Sequence, residues 1–170
     1  MIRKCTKADF ERILEIINDA ARAYKGVIPA DRWHEPYMSY DELIDEIKAG
    51  ILFWGFEDEG RLIGVMGIQD KEDVTLVRHA YVELSYRNRG IGTQLLRTLE
   101  STTDKPILVG TWADATWAVA FYQKNGYRPL PAEEKTRLLK RYWTIPERQV
   151  ETSIVLANRR WSNSPNPAQV

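Results

Sequence analysis

Two arginines and two glycines are clustered in the segment Arg87–Thr93, between a strand-like run, Val74–Leu84, and a helix-like run, Thr93–Leu99. The first N–H groups of a helix have no partner inside the helix and carry the positive end of its dipole. Gly90 and Gly92 have no Cβ, so a ligand can approach the backbone closely. The segment therefore predicts a ligand that carries a diphosphate or polyphosphate.

The spacing of these residues distinguishes the segment from two common phosphate-binding motifs. A dinucleotide-binding loop reads Gly-x-Gly-x-x-Gly, with an acidic residue about 20 positions later. The phosphate loop of nucleotide triphosphatases reads Gly-x-x-x-x-Gly-Lys-Ser/Thr. Neither pattern is present here, and the sequence from Arg87 to Gly92 reads Arg-x-x-Gly-x-Gly.

A second patterned segment, Ala118–Tyr127, follows about one β-α unit downstream and reads Ala-Val-Ala-Phe-Tyr-Gln-Lys-Asn-Gly-Tyr. Thr116–Lys124 predicts a short helix, and Gly126 suits the left-handed residue just past a helix. Together the two segments resemble the acetyl-CoA pyrophosphate loop and the tyrosine-bearing helix of the GNAT superfamily of N-acetyltransferases. The resemblance covers about residues 1–156, and the detailed match lies in residues 82–99 and 118–127.

The resemblance implies the α/β GNAT fold, a mixed and mostly antiparallel sheet of about six or seven strands flanked by helices. Its central parallel strands splay apart around the pantetheine arm of coenzyme A. The order of elements predicted from hydrophobic periodicity agrees with this fold. Thr6 with Asp9, and Ser39 with Glu42, predict capping boxes at two helix starts. Gln149–Leu156 alternates like a final strand.

Length and composition are consistent with one domain, which we place at residues 1–157, followed by a flexible tail at residues 158–170. The 24 basic and 24 acidic residues cancel, so nothing indicates nucleic-acid or membrane binding. Cys5 has no second cysteine to pair with. No leader peptide or long apolar run is visible, so we expect a cytoplasmic protein.

The resemblance also implies how coenzyme A is held. The backbone of Val82, Glu83 and Leu84 would hydrogen-bond the pantetheine amides like an added strand. The N–H of Val82 or its neighbour would polarise the thioester carbonyl. Ala115 stands where the family often has an asparagine. The residues implied to contact the coenzyme are Val82, Leu84, Arg87, Asn88, Arg89, Gly90, Ile91, Gly92, Thr93 and Lys124.

The resemblance to the GNAT superfamily, together with the residues themselves, also gives candidates for the general acid and the general base of the reaction. Tyr122 matches the family tyrosine that protonates the departing thiolate. The attacking amine must lose a proton to a carboxylate, an imidazole or a water chain. His79, Tyr81 and Glu83 alternate on one face of their strand. His79 is the first candidate because its ordinary pKa of about 6.5 suits proton acceptance, and Glu83 is the second; a purely structural histidine is an equal alternative.

The acceptor pocket is predicted in the loop between the first two helices. Its aromatic residues would line the pocket or simply pack on the sheet, and the acidic residues of the loop would favour a cationic amine. Two histidines and one cysteine, without a cluster of suitably spaced carboxylates, predict no metal site. The pocket residues are Tyr24, Trp33, His34, Tyr37 and Met38, and the acidic residues are Asp31, Glu35 and Asp41.

These patterns indicate an acetyl-CoA-dependent N-acetyltransferase that acts on a primary amine by direct attack in a ternary complex, without a metal. The acceptor would be a small-molecule amine or an amine of a protein. The alternative is a non-catalytic acyl-CoA-binding or regulatory module of the same fold. The resemblance is also compatible with a homodimer, and it leaves the length of the acyl chain open.

Overall fold

The computed structural model describes residues 1–162, and within that range the chain forms one sheet of seven strands flanked by six α-helices. The strands are β1 (Ile2–Lys4), β2 (Leu52–Asp58), β3 (Arg61–Lys71), β4 (Val74–Val82), β5 (Ile107–Trp112), β6 (Arg128–Pro129) and β7 (Ser153–Ala157). The helices are α1 (Phe10–Ala21), α2 (Tyr40–Lys48), α3 (Ile91–Glu100), α4 (Thr116–Lys124), α5 (Ala132–Tyr142) and α6 (Glu147–Glu151).

The strands are ordered β1-β2-β3-β4-β5-β7-β6. Neighbouring strands are antiparallel except β4 and β5, which run parallel. This parallel pair is short, because Thr75–Val77 is paired with Ile107–Val109 and β4 continues beyond that point without β5. The mixed, mostly antiparallel sheet with splayed parallel strands confirms the predicted fold class.

Helices α1 and α3 cover opposite faces of the central strands. The buried stripe of α1, Ile13, Ile16 and Ile17, packs with residues of α2, β2 and β3. Leu95 and Leu96 of α3 are completely buried in a separate cluster with residues of β3, β4 and β5. Burial of each such side chain stabilises the fold by about 1.5–3 kcal/mol, so both helices are held firmly beside β4.

Most predicted local signals appear in the structure. Thr6 and Asp9 form the predicted capping box. At the start of α2 only half of the predicted box forms: the Ser39 hydroxyl accepts from the Glu42 N–H, but within residues 1–162 the Glu42 carboxylate does not accept from the Ser39 N–H. The predicted strand Gln149–Leu156 is wrong in its first half, because residues up to Glu151 form α6 and the strand begins only at Ser153.

The physical reason for this error lies in the turn chemistry before α6. Pro146 precedes the helix and accepts hydrogen bonds from the N–H groups of Gln149 and Val150. Val150 is the buried residue of this single helical turn, and Ile154 belongs to the strand that follows. Val150 and Ile154 are an even number of residues apart, as apolar residues on one face of a strand would be. They nevertheless belong to two different elements.

The folded part of the chain extends past the expected boundary at residue 157. Asn158 is buried, and its side-chain oxygen accepts a hydrogen bond from the Ile107 N–H at 3.0 Å. Trp161 is buried against the cluster that contains β7 and α5. Asn158 and Trp161, which were expected in the tail, therefore pack with the domain, and residues 163–170 of the expected tail lie outside the described part. None of the helices within residues 1–162 combines the length and the apolar character that crossing a bilayer requires.

Candidate functional site

A β-bulge in β4 marks the place where this strand separates from β5. Gly67 lies opposite Arg78 and Val65 lies opposite Tyr81, so His79 and Ala80 both face a single residue of β3. His79 has a φ of 55°, which is in the left-handed region. A bulge of this kind bends its strand and increases the local twist. The gap between β4 and β5 opens immediately beyond the paired segment.

The backbone of Val82 points into this gap. The Glu83 N–H donates to the Ile63 carbonyl at 2.9 Å, so Glu83 belongs to a hydrogen-bonded pair with β3. Successive residues of an antiparallel strand alternate in direction. The N–H and C=O of Val82 therefore point away from β3, toward the open side. The Leu84 N–H donates to Asp19 Oδ2 at 2.9 Å, so the expectation that Leu84 offers its amide to a ligand is corrected.

A cavity of about 370 Å³ occupies the gap. It brings together most of the predicted coenzyme residues from β4, from the loop before α3 and from α4. Arg89 is not in the wall, and its guanidinium lies over the Tyr86 ring, 5.1 Å from the centroid. The predicted residues in the wall are Tyr24, Val82, Leu84, Arg87, Asn88, Gly90, Ile91, Gly92, Thr93, Tyr122 and Lys124.

The start of α3 forms one end of this cavity. Gly90 precedes the helix with a φ of 77°, and among the described residues no side chain caps the first helical N–H groups. These groups are therefore free to donate to an anion, as at other helix N-termini that bind phosphate. A Cβ on Gly92 would lie 3.2 Å from the Phe121 ring, so this glycine allows α3 and α4 to approach closely. Arg87 lies over the Trp117 ring, 5.7 Å from its centroid.

Tyr122 lies in the wall of the cavity, and its side chain is buried. Within residues 1–162 its hydroxyl has no hydrogen-bond partner, yet it is not sealed from the cavity. Burial raises the pKa of Tyr122 above its ordinary value of 10, and the nearby Tyr24 adds to this effect. The hydroxyl therefore keeps its proton at neutral pH and can donate it to a group in the cavity.

A second, smaller cavity of about 110 Å³ adjoins the first. Tyr24 and Tyr81 line both cavities, so they form the boundary between them. The Trp112 indole N–H donates to the Tyr37 hydroxyl at 2.9 Å. Burial raises the pKa of Tyr81 well above 10, and the nearby hydroxyls of Tyr24 and Tyr37 contribute. Tyrosine and tryptophan side chains make up about a third of the wall of the second cavity, and Arg78 and His79 also line it.

The predicted acceptor residues divide between this cavity and its surroundings. Tyr24 and Tyr37 line it. Trp33 and His34 are outside its wall and stack on Tyr37, with ring centroids 5.9 and 6.1 Å away. Met38 is buried in the cluster between α1 and α2 and lines neither cavity. The loop is therefore partly a pocket wall and partly packing behind it.

The two predicted bases have different surroundings. His79 lines the second cavity, and its Nε2 lies 3.1 Å from Glu46 Oε2. The Glu83 carboxylate is bound by Arg12 and Arg61 and lines neither cavity. Contacts of His79 with α2, and of Tyr81 and Glu83 with α1, agree with the predicted shared face. Of the two predicted bases, His79 is thus the one whose side chain lines a cavity.

The acidic residues expected to favour a cationic acceptor are largely compensated by bases. Asp31 is bound by Arg148 at 3.0 Å, and Glu35 lies 3.5 Å from Lys25. Among residues 1–162, no group of three or more potential ligands is arranged to hold a metal ion.

Three residues near the site were missed by sequence reasoning. Asp19 binds the Leu84 amide, Glu46 binds His79, and Trp117 stacks on both Arg87 and Tyr24. Trp117 stands directly before the patterned segment of α4 and could have been suspected. The acidic residues carried no signal, because a carboxylate on an amphipathic helix usually faces solvent.

Comparisons with known proteins agree with this geometry. Similar structures include the N-acetyltransferase PaiA of Thermoplasma acidophilum in complex with coenzyme A, at 20% identity, with 93% of this chain and 97% of that chain covered and a TM-score of 0.70. A GNAT-family acetyltransferase of Staphylococcus aureus Mu50 has 18% identity, 95% and 99% coverage and a TM-score of 0.69. The Escherichia coli ribosomal-protein-S18-alanine N-acetyltransferase has 15% identity, 98% and 97% coverage and a TM-score of 0.64.

At these levels of identity the likenesses establish the fold, which is that of the GNAT acyltransferases. The family model described as the acetyltransferase (GNAT) domain matches residues 49–129, which include β4, the loop before α3 and α4. Among curated proteins, none matches the sequence of this chain. Residues 49–129 are thus similar to a GNAT acetyltransferase domain, and the whole described part has the fold of this group.

Proposed function

We propose that the protein transfers the acetyl group of acetyl-CoA to a primary amine by direct attack in a ternary complex. The observation that carries this proposal is the pair of cavities that adjoin at Tyr24 and Tyr81. The larger cavity ends at the free N–H groups of α3, which suit the pyrophosphate of coenzyme A. The smaller cavity is the space for the acceptor, and the acetyl group would lie between the two.

The backbone of Val82 would bind the pantetheine arm as an added strand does, because its N–H and C=O point into the gap. This N–H or that of Ala80 would donate to the thioester oxygen as negative charge develops on it. Arg87, Asn88 and Lys124 would add polar contacts to the coenzyme from the cavity wall. Arg89, which lies over the Tyr86 ring, would attract phosphate at longer range rather than from inside the cavity.

Tyr122 would protonate the departing thiolate. Burial makes Tyr122 a weaker acid than a tyrosine in water, which by itself disfavours proton transfer. A thiolate that leaves inside the same cavity is desolvated as well, so the proton affinity of its sulfur also rises. The two effects oppose each other, and the transfer remains feasible over a short distance.

The proton lost by the amine would pass to His79, which lines the acceptor cavity. A neutral imidazole accepts a proton readily near neutral pH. Glu83 is a poorer choice, because two arginines occupy its carboxylate. The acceptor pocket itself consists of Tyr24, Tyr37 and the neighbouring aromatic residues, with Trp33 and His34 supporting Tyr37.

Two measurements test the proposal. Titration calorimetry with acetyl-CoA should show saturable binding, and a thiol-release assay over a panel of small amines and N-terminal peptides should detect turnover, with products confirmed by mass spectrometry. The absence of any heat of binding would refute the proposed coenzyme site. Saturable binding without turnover on any amine would instead favour a non-catalytic acyl-CoA-binding module.

The proposal also covers the partners, the oligomeric state and the location of the protein. GNAT proteins act on amine acceptors, and we propose a small-molecule or protein amine here, with neither nucleic acid nor membrane as a partner. A homodimer is a further proposal, tested by sedimentation of the purified chain. A cytoplasmic location stays a prediction.

A further inference from the structure

Glu46 of α2 is the centre of a polar cluster beneath the bulge of β4. Its carboxylate accepts from His79 Nε2 at 3.1 Å and lies 3.2 Å from the Arg78 guanidinium. Gln69, which is buried, accepts from Arg78 at 3.2 Å and donates to the Ala49 carbonyl at the end of α2 at 2.9 Å. The cluster thus joins α2 to His79, the first residue of the bulge, and to Arg78, the residue before it.

The contact with Glu46 selects one form of the His79 ring. A carboxylate accepts but does not donate, so a neutral imidazole must carry its proton on Nε2. Nδ1 then presents a lone pair. Within residues 1–162 this nitrogen has no hydrogen-bond partner and is not sealed inside the protein, while the His79 side chain lines the acceptor cavity.

The charges around Glu46 keep its side chain ionised, so that it can accept a hydrogen bond from His79. Burial disfavours its ionised form, but the hydrogen bond from His79 and the charge of Arg78 outweigh burial and lower the pKa of Glu46. Burial also lowers the pKa of Arg78, although Glu46 opposes this effect. Glu46 is therefore a carboxylate at neutral pH.

We propose that Glu46 is a positioning residue that holds His79 as the Nε2–H tautomer, with Nδ1 directed to the acceptor amine. The inference rests on the proposed function, because it assigns His79 its task in that reaction. The other titratable or charged groups around the ring are Arg78 on β4 and, in the same cavity wall, Tyr24, Tyr37 and Tyr81. None of the three tyrosines is a carboxylate that could replace Glu46.

The proton balance of the reaction is complete with these residues. The amine nitrogen forms a bond to the thioester carbon, and the excess proton on nitrogen passes to His79 Nδ1. The carbon–sulfur bond then breaks, and the sulfur takes the proton of the Tyr122 hydroxyl. His79 ends with one additional proton and Tyr122 with one fewer, and exchange with water restores both.

The first experiment observes the ring directly. The chain has two histidines, so ¹⁵N-imidazole NMR of histidine-labelled protein gives two sets of signals, which the variant His34→Gln assigns. We expect the Nε2–H tautomer for His79 at neutral pH, and a changed tautomer ratio in Glu46→Gln. The matched control, Asp45→Asn, removes a negative charge from the exposed neighbouring position of α2 and should leave the spectrum unchanged. An Nδ1–H tautomer, or no response to Glu46→Gln, would overturn the inference.

The second experiment measures catalysis with the amine of highest kcat/KM in the panel, at saturating acetyl-CoA. We expect His79→Asn to lower kcat/KM about 100-fold and to remove the acidic limb of its pH profile. Glu46→Gln should lower kcat/KM at least about 10-fold and move that limb. Asparagine suits position 79 because it tolerates a positive φ.

The two experiments separate this inference from the proposed function. Turnover with the predicted tautomer but an unchanged pH profile in both variants would leave the acetyltransferase intact and refute the role of Glu46. The predicted tautomer without turnover on any amine would refute the proposed function, and the pair would then only fasten α2 to β4. Calorimetry with acetyl-CoA should give equal affinities for the wild type and both variants.

Discussion

At the scale of single residues, burial decides what each candidate group can do. Tyr122 is enclosed in the cavity wall, and its raised pKa keeps its proton in place until a stronger base arises beside it. Burial also raises the pKa of the Cys5 thiol, to about 12. For a cysteine this is a disadvantage, because the thiolate is the nucleophile and the thiol is not. Within the proposed function, this favours direct transfer to the amine over an acyl-cysteine intermediate.

The role of Tyr122 is tested by removing one oxygen atom. Tyr122→Phe keeps the packing with Phe121 and Tyr127, whose rings contact it, but removes the proton donor. We expect kcat to fall about 100-fold, which is a usual contribution of general acid catalysis, with the acetyl-CoA dissociation constant unchanged by calorimetry. A variant with the turnover of the wild type would eliminate the acid role.

At the scale of elements, the proposed phosphate site depends on how α3 begins. The left-handed backbone of Gly90 turns the chain into the helix and leaves the first N–H groups without side-chain caps among the described residues. Within residues 1–162, and apart from the adjacent residues, no atom lies within 4 Å of the position that a Cβ would take here. A side chain at position 90 would therefore fit in space and act mainly through its charge and its backbone strain.

Substitutions of Gly90 separate these two effects. Gly90→Glu places a carboxylate beside the pyrophosphate and should abolish acetyl-CoA binding in calorimetry while the fold is kept. Backbone strain should cost about 1–2 kcal/mol of stability. The control is Gly90→Asn, which tolerates the left-handed backbone and adds no charge, so binding should persist. Thermal stabilisation of Gly90→Glu by acetyl-CoA would contradict this account.

A second prediction at this scale concerns the turn that leads into α1. Asp9 accepts hydrogen bonds from Arg3 and from the Thr6 N–H, and these interactions lower its pKa from 3.8 to about 2. Because the folded-state pKa is the lower one, the stabilisation is present above about pH 4 and is lost as the pH falls toward 2.

The variant Asp9→Asn should therefore be less stable than the wild type at pH 7, by about 1 kcal/mol in urea unfolding. The difference between the two proteins should shrink as the pH falls from about 4 to 2. A difference that stays constant over that range would show that the charge of Asp9 does not contribute.

At the scale of the whole molecule, α1 is joined to the central strands by ion pairs with Glu83. This carboxylate is buried between Arg12 of α1 and Arg61 of β3, directly after β4. Asp19, further along α1, binds the Leu84 amide at 2.9 Å. Both contacts hold the turn that leads from β4 to the phosphate loop, so Glu83 acts on the site through the fold.

Glu83→Gln tests this assignment against the alternative that Glu83 is the base. We expect the free energy of unfolding to fall by about 2 kcal/mol, between the values typical of exposed and buried ion pairs. The pH profile of kcat/KM should keep its shape. Asp104→Asn, at an exposed position, is the control for loss of one negative charge. A profile that loses its acidic limb in Glu83→Gln would identify Glu83 as the base.

Local sequence signals were sufficient to predict which segments meet in the wall of the larger cavity. The segment from Arg87 to Thr93 and the helix that carries Tyr122 are each continuous in sequence, and their glycines and helix boundaries follow from backbone geometry alone. The capping box at Thr6 and Asp9 was predictable for the same reason, because its two partners are three residues apart. Arg89 was the exception, because its side chain turned to Tyr86 instead of the cavity.

The acceptor side required the tertiary structure. His79 meets Glu46 across 33 residues, Leu84 meets Asp19 across 65, and Glu83 meets Arg12 across 71. Such partners are chosen by the packing of α1 and α2 on the sheet, and a periodic helix pattern shows only which face is buried. The sequence by itself determined a GNAT-type sheet and the glycine-led turn into α3 that we propose binds phosphate, because those features arise from neighbouring residues. Only the folded chain decided which carboxylate holds the imidazole and which is occupied by arginines, because burial and distance set the protonation of each group.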